Sequence, residues 1–243
     1  GESVEHGQHG DAYQRAHDLE SSGELDAATW KSLNAGAPDV LVRYTVTAAD
    51  AAGPYATLPD DIMEKAGLDA LGYASALEML AEKFHASPKL LQRLNPDVAF
   101  DKAGTELLVP NVAGVAAPGK AAKVVVDKSD STVAILDAAG KVLAQFPAST
   151  GSEHDPLPIG EWKIDGVARD PEFHYNPDLF WDADAGHAKA TIAPGPNNPV
   201  GVVWVDLSKP HYGIHGTPEP GLIGRDESSG CVRLANWSAR AVR

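Results

Sequence analysis

Near residue 122 the hydrophobic pattern of this 243-residue chain changes period, and that change limits what the chain can fold into. Before it, apolar side chains recur at three- and four-residue intervals. Leu77, Leu80, Ala81 and Phe84 show the spacing of a helix with one buried face. After it, short β-rich runs take over: Lys123 to Asp127, Ser131 to Leu136 and Val142 to Phe146. Polar breaks at Lys128-Ser129-Asp130 and Asp137-Ala138-Ala139-Gly140 separate them, which predicts successive hairpins. The small-residue stretch at 112–121 reads as the linker between the two regimes. The expectation is an α+β multidomain chain, with helical and mixed α/β pieces first and a mostly-β domain over 122–243.

The N-terminal half divides further. Residues 1–10 are small and polar and read as a flexible tail, with His6 and His9 as surface groups and not metal ligands. Residues 11–36 predict a weak helix from Tyr13 to Leu19, a break at Gly23, and a short helix capped by Asp26. A piece this small buries no core alone, and Trp30 is expected to anchor it on something else. Residues 40–111 read as strand, turns, two helices and strand. Arg43 to Thr47 forms the first strand, and Ala51-Ala52-Gly53-Pro54 and Leu58 to Asp61 are turns. Ser75 to Glu78 is a capping box opening one helix, and Ser87-Pro88 opens the next. Leu90, Leu91 and Leu94 are its expected buried stripe, Asn95-Pro96 ends it, and Ala103 to Asn111 supplies a turn and closing strand.

Charge and composition exclude several roles. With 20 Lys and Arg against 34 Asp and Glu the formal net charge is −14, which argues against nucleic acid or an anionic membrane surface as partner. No run of eighteen apolar residues occurs, so no membrane span is expected, and no signal-peptide core is visible. One cysteine permits no internal disulfide.

That cysteine, Cys231, follows Ser228-Ser229-Gly230, a polar turn suited to exposing a side chain. His215 lies sixteen positions upstream, beside Gly216. A lone cysteine with a histidine elsewhere is a candidate thiol nucleophile with its base, because the thiolate is the attacking species and an imidazole can take its proton. The turn could aim the N–H groups of Gly230 and Cys231 at one point as an oxyanion hole. Arg233, two residues on, offers a fork of donors for a substrate carboxylate. A zinc site on His211 and His215 is disfavoured. In the strand-like stretch between them, side chains four residues apart stand about 13 Å from each other.

His215-Gly216-Thr217, a glycine-rich spacer and Ser228-Ser229-Gly230-Cys231-Val232-Arg233-Leu234 together resemble the signature of the L,D-transpeptidase catalytic domain. Gly195-Pro196-Asn197-Asn198-Pro199-Val200-Gly201 continues the resemblance, as do Ala148 to Gly151 and Leu157 to Trp162. The resemblance implies Cys231 as nucleophile, His215 as base, the Gly216 carbonyl as its orienting partner and Gly230 at the oxyanion hole. It implies Arg233, Ser229 and Tyr212 as substrate-binding residues, and no cofactor or metal. Ser229 stands where the fullest pattern has a second histidine, so base duty falls on His215 alone. The irregular stretch 168–200 would cap the cleft, its aromatics mainly packing. Asn236 to Arg243 reads as a helix cut short, where the family usually adds a last strand.

Residues 40–111 are similar to a LysM module with an insertion after its first strand, and 11–36 to the second half of a peptidoglycan-binding helical module. The resemblances imply an exported enzyme, periplasmic or wall-associated, that acts on peptidoglycan stem peptides and meets glycan strands. It would form cross-links or attach a wall lipoprotein or other protein acceptor, shape the cell wall, and be acylated by carbapenems. The competing reading is a non-catalytic wall-binding protein with a decayed catalytic domain.

Overall fold

The computed structural model describes residues 11, 13–36, 38–112, 119–152, 154–181, 183–225 and 230–242. The predicted tail, most of the linker and Ser229 lie outside the described residues. In chain order the elements begin with helix α1 (Ala27–Asn34), strand β1 (Leu41–Thr45) and helices α2 (Ala48–Ala52) and α3 (Ile62–Lys65). Helices α4 (Ala76–Lys83) and α5 (Pro88–Leu94) and strand β2 (Glu106–Pro110) follow. Then come β3 (Lys123–Asp127), β4 (Thr132–Leu136), β5 (Val142–Pro147), β6 (Ile164–Arg169), β7 (Phe173–Tyr175) and β8 (Ala190–Ile192). Strands β9 (Val203–Leu207), β10 (Gly213–His215) and β11 (Val232–Arg233) precede the last helix, α6 (Asn236–Val242). The described residues of 1–40 and 116–146 form one compact unit, and those of 41–115 and 147–243 another.

In the first unit β3, β4 and β5 form a three-stranded sheet in that order, β3 antiparallel to β4 with Val125 opposite Ala134. Thr132, Val133 and Ile135 are its buried residues. Asp26 caps α1, its carboxylate accepting from the Thr29 amide at 2.7 Å. Trp30 is 58% exposed and does not anchor the piece. The physical reason is polar: Gln14 is fully buried and gathers the surrounding turns. Its Nε2 donates to the Glu24 carbonyl and Thr29 Oγ1, and its Oε1 accepts from the Gly23 amide. Thr29 therefore faces inward, and the next side chain along the helix points out.

The second unit begins with the antiparallel pair β1–β2, Leu41 opposite Pro110 and Thr45 opposite Glu106, packed against α4 and α5. Val46, Leu80, Ala81, Phe84, Leu91, Leu107 and Val109 are buried together there. Strand β1 stops two residues short of the expected end because Thr47 caps α2. Its hydroxyl accepts from the Asp50 amide while the Asp50 carboxylate accepts from the Thr47 amide. Ser75 and Ser87 cap α4 and α5, but the predicted box at Ser75 is only half made, because the Glu78 carboxylate accepts from the Ala74 amide and not from the Ser75 amide. Of the stripe expected on α5, Leu91 is fully buried but Leu90 is 38% exposed. The closing turn is held by Asn95, whose amide bridges the Leu91 and Leu108 backbones, so the helix needs a narrower apolar face.

The stretch 168–200, expected to be irregular, contains the antiparallel hairpin β7–β8. Tyr175 and Ile192 pack there with Leu71, joined by half-buried Phe173 and Phe180, so these aromatics serve packing. Leu71 and Gly72 dock on the segment before β9. The Leu71 amide donates to the Pro194 carbonyl (2.9 Å), the Asn197 amide to the Leu71 carbonyl (3.1 Å), and Asn197 Nδ2 to the Gly72 carbonyl (2.8 Å). The four-stranded sheet runs β11-β10-β9-β6, with β9 antiparallel to both neighbours and β11 parallel to β10. The C-terminal region is thus mostly β, with few helices. Among the described residues no helix is long and apolar enough to cross a membrane.

Candidate active site

Strand alternation sorts the four-stranded sheet into two faces. Ile214 lies opposite Val205 and Val232, and all three are buried core. The next residue reverses the direction, so His215 stands between Trp204 and Arg233 on the other face. Carrying the parallel register back one pair sets Cys231 opposite Gly213, on the face that holds His215. Cys231 is half-buried as a residue. Its thiol donates to the His211 carbonyl at 3.6 Å, and the Gly213 backbone also hydrogen-bonds it. His211 adopts a left-handed backbone (φ 67°) immediately before β10, which turns its carbonyl toward the thiol.

His215 is 6% exposed and its Nδ1 lies 2.6 Å from the Gly216 carbonyl. A carbonyl only accepts, so Nδ1 carries the proton and Nε2 keeps the lone pair a base requires. Burial pushes the imidazole down to about 4; the Gly216 hydrogen bond opposes this and the Arg233 charge adds to it. Burial pushes the Cys231 thiol up, with the Gly213 backbone and the Arg233 charge pulling back. Burial thus favours the neutral form of each group. Low polarity around both groups penalises charge on either.

A pH dependence follows. Because the folded imidazole protonates near 4 and the unfolded one near 6.5, acid binds the unfolded chain more readily. This histidine costs no stability above pH 6.5, and its penalty grows as pH falls toward 4, to about 3 kcal/mol at one-unit equivalence. In an NMR titration the His215 ring is expected to stay neutral until about pH 4. A ring charged at pH 6 would contradict the burial argument.

The remaining site residues sit around this pair. Gly230 is buried at φ 91°, and a Cβ there would fall 3.1 Å from Tyr212 Cε1, so the Tyr212 ring lies against the turn before the cysteine. Arg233 exchanges backbone hydrogen bonds with Ser149, the Arg233 amide donating at 2.8 Å and the Ser149 amide at 3.0 Å. Among the described residues its Nε is buried without a hydrogen-bond partner. The Arg233 charge acts on both the thiol and the imidazole, and a guanidinium in that position suits an incoming carboxylate. His215, Gly216, Cys231, Gly230, Tyr212 and Arg233 thus belong to one neighbourhood, and Ser229 lies outside the described residues.

Two further residues complete the geometry. The Trp204 indole stacks on His215, centroids 5.4 Å apart and planes 19° off parallel, and its Nε1 donates to Asp206. It also covers Gly213, where a Cβ would meet Cζ2 at 2.5 Å. Alternation along Val202 to Asp206 could have signalled its face but not its stacking partner. The second, Asn236, is wholly buried and lies against Gly216.

Residues 121–242 match the YkuD family, the L,D-transpeptidase catalytic domain. The chain is 28% identical over 163 residues to the YkuD protein of Bacillus licheniformis, named as an L,D-transpeptidase, covering 66% of this chain and 81% of that protein. The YkuD protein of Bacillus subtilis is 27% identical over 161 residues, with the same coverages. Among solved structures, an L,D-transpeptidase from Mycobacterium smegmatis is 23% identical with a TM-score of 0.37, covering 48% of this chain and 50% of that one. L,D-transpeptidase 3 from Mycobacterium tuberculosis, in complex with a faropenem-derived adduct, is 16% identical with a TM-score of 0.38, covering 48% and 52%. The chain spans about half the length of these two solved proteins.

Proposed function

We propose, on the ground that this chain belongs to the YkuD family of L,D-transpeptidase catalytic domains, that it exchanges acyl groups on peptidoglycan stem peptides through a thioester on Cys231. The observation that supports the reading is the β10–β11 register, which pairs His215 with Arg233 and, followed two pairs back, brings Cys231 opposite Gly213 on the same face.

In the proposed reaction the Arg233 guanidinium holds a carboxylate of the donor stem. The thiol proton passes to His215 Nε2 as the sulfur attacks the carbonyl between the diaminopimelate L-centre and the terminal D-Ala. The sulfur–carbon bond forms as the carbonyl electron pair moves to oxygen, where the Gly230 and Cys231 amides stabilise it. Collapse breaks the carbon–nitrogen bond, and the departing D-Ala nitrogen takes the proton from His215. An imidazolium this acidic gives that proton up readily. An acceptor amine then attacks the thioester, its proton returning through His215 to the sulfur. The acceptor is a second stem peptide or an amine of a wall lipoprotein or other wall protein.

The enzyme is proposed to work outside the cytoplasm, where this substrate lies. The likeness of residues 40–111 to a LysM module supports glycan strands as a second contact. The test is D-Ala release from a synthetic tetrapeptide donor, expected to fall about 100-fold or more in His215→Ala. No release by the native protein, with acceptor supplied, would contradict the reading. Arg233→Ala is expected to lower kcat/KM on the order of tenfold to a hundredfold, because a buried charge-assisted contact is lost. A donor amidated at the carboxylate should lose the difference between the two proteins; equal discrimination by both would remove Arg233 from that role.

A further inference from the structure

Asn236 joins the sheet to a side chain far away in sequence. Its Nδ2 donates to Glu82 Oε2 at 2.8 Å and to the Pro196 carbonyl at 3.2 Å, and its Oδ1 accepts from the Val202 amide at 3.2 Å. That oxygen also lies against Gly216, so closely that a Cβ there would overlap it. Glu82 sits on α4 and is 7% exposed. Its other oxygen, Oε1, accepts from the Tyr73 hydroxyl at 3.0 Å and faces the Arg240 guanidinium at 3.6 Å.

An ionised carboxylate only accepts hydrogen bonds, so it dictates which end of the Asn236 amide turns toward it. The NH2 must point at Glu82, and the oxygen is thereby held on the Val202 amide and Gly216. Gly216 in turn presents the carbonyl that fixes the His215 tautomer. We propose that Glu82, upstream of the matched catalytic domain, is a positioning residue for His215, acting through Asn236 and Gly216. Residues 41–112 then do more than contact the wall or space the chain, since α4 completes the support of the base. Burial pushes the Glu82 carboxyl up, while the Asn236 and Tyr73 hydrogen bonds and the Arg240 charge favour its ionised form. The catalytic consequence rests on the transpeptidase reading above, whereas the tautomer does not.

The test combines imidazole 15N shifts with steady-state kinetics on the full chain. Wild type is expected to show the Nδ1–H tautomer at His215. In Glu82→Leu, which keeps the bulk but removes the acceptor, the Nε2–H tautomer should become populated. There kcat should fall on the order of 10-fold to 100-fold with the donor KM within about twofold. Glu82→Gln, still an acceptor toward Asn236, should recover most of the loss. Tyr73→Phe removes a hydrogen bond from the same carboxylate on the side away from Asn236. It should lower the melting temperature but leave the tautomer and kcat unchanged. The proposal is overturned if Glu82→Leu leaves the tautomer and kcat as in wild type, or if Tyr73→Phe lowers kcat equally. Should Glu82→Leu not fold, Asn236→Ala takes its place with the same expected loss, and an Nε2–H tautomer in wild type overturns the assignment by itself. A wild type with the right tautomer but no turnover would defeat the transpeptidase reading and leave the structural coupling standing.

Discussion

The Cys231→Ala protein is expected to release D-Ala from a tetrapeptide donor at least about 1,000-fold more slowly than wild type, because the reaction loses its nucleophile. Its fold should hardly change. The side chain is half-buried at the end of a strand pair, where its thiol donates to the His211 carbonyl. A melting temperature within about 3 °C of wild type is the expected companion result. That separation of effects matters, since the same loss with a collapsed fold would say nothing about chemistry. Because burial raises the thiol, alkylation of Cys231 by iodoacetamide should also be slow at pH 7 and accelerate only above the range of an ordinary thiol. Rapid alkylation at neutral pH would mean that the pair is ionised at rest.

The second large effect concerns stability. Gly201 has φ 63°, and a Cβ there would fall 2.6 Å from the Gly216 carbonyl carbon and overlap Asn236 Oδ1. Gly201→Ala therefore meets left-handed backbone strain and a clash with backbone that cannot swing away. The expected loss is about 3–5 kcal/mol, seen as a melting temperature lowered by about 10 °C or more. Gly166→Ala is the control, because its Cβ would meet nothing within 4 Å. A Gly201→Ala protein as stable as that control would show that the packing of Asn236 between Gly201 and Gly216 is looser than described, and would weaken the support assigned to His215.

Local chemistry was legible in the sequence, and long-range coupling was not. Capping at Asp26, Ser75 and Ser87 depends on residues three positions apart, so spacing reveals it. The hairpin strands β3, β4 and β5 follow from apolar runs between turns in the same way. The neighbourhood of Cys231, His215 and Arg233 was accessible because His215 and Cys231 flank one connection and the motif is dense. Glu82 and Asn236 are 154 residues apart, and nothing local in either segment points to the other. Trp30 misleads for a related reason: a large aromatic ring predicts burial, yet a buried Gln14 amide organises that piece and leaves the ring in solvent. Burial favours the neutral forms of His215 and Cys231, and spacing does not encode burial.

Peptide mapping after trapping locates the acylated side chain. The native protein is incubated with a tetrapeptide donor without acceptor amine, quenched in acid, digested, and the acylated peptide identified by mass. A thioester on Cys231 predicts the donor mass less D-Ala on the peptide that contains Cys231, and no adduct in Cys231→Ala. An adduct on any other side chain, or one that persists in Cys231→Ala, would contradict it.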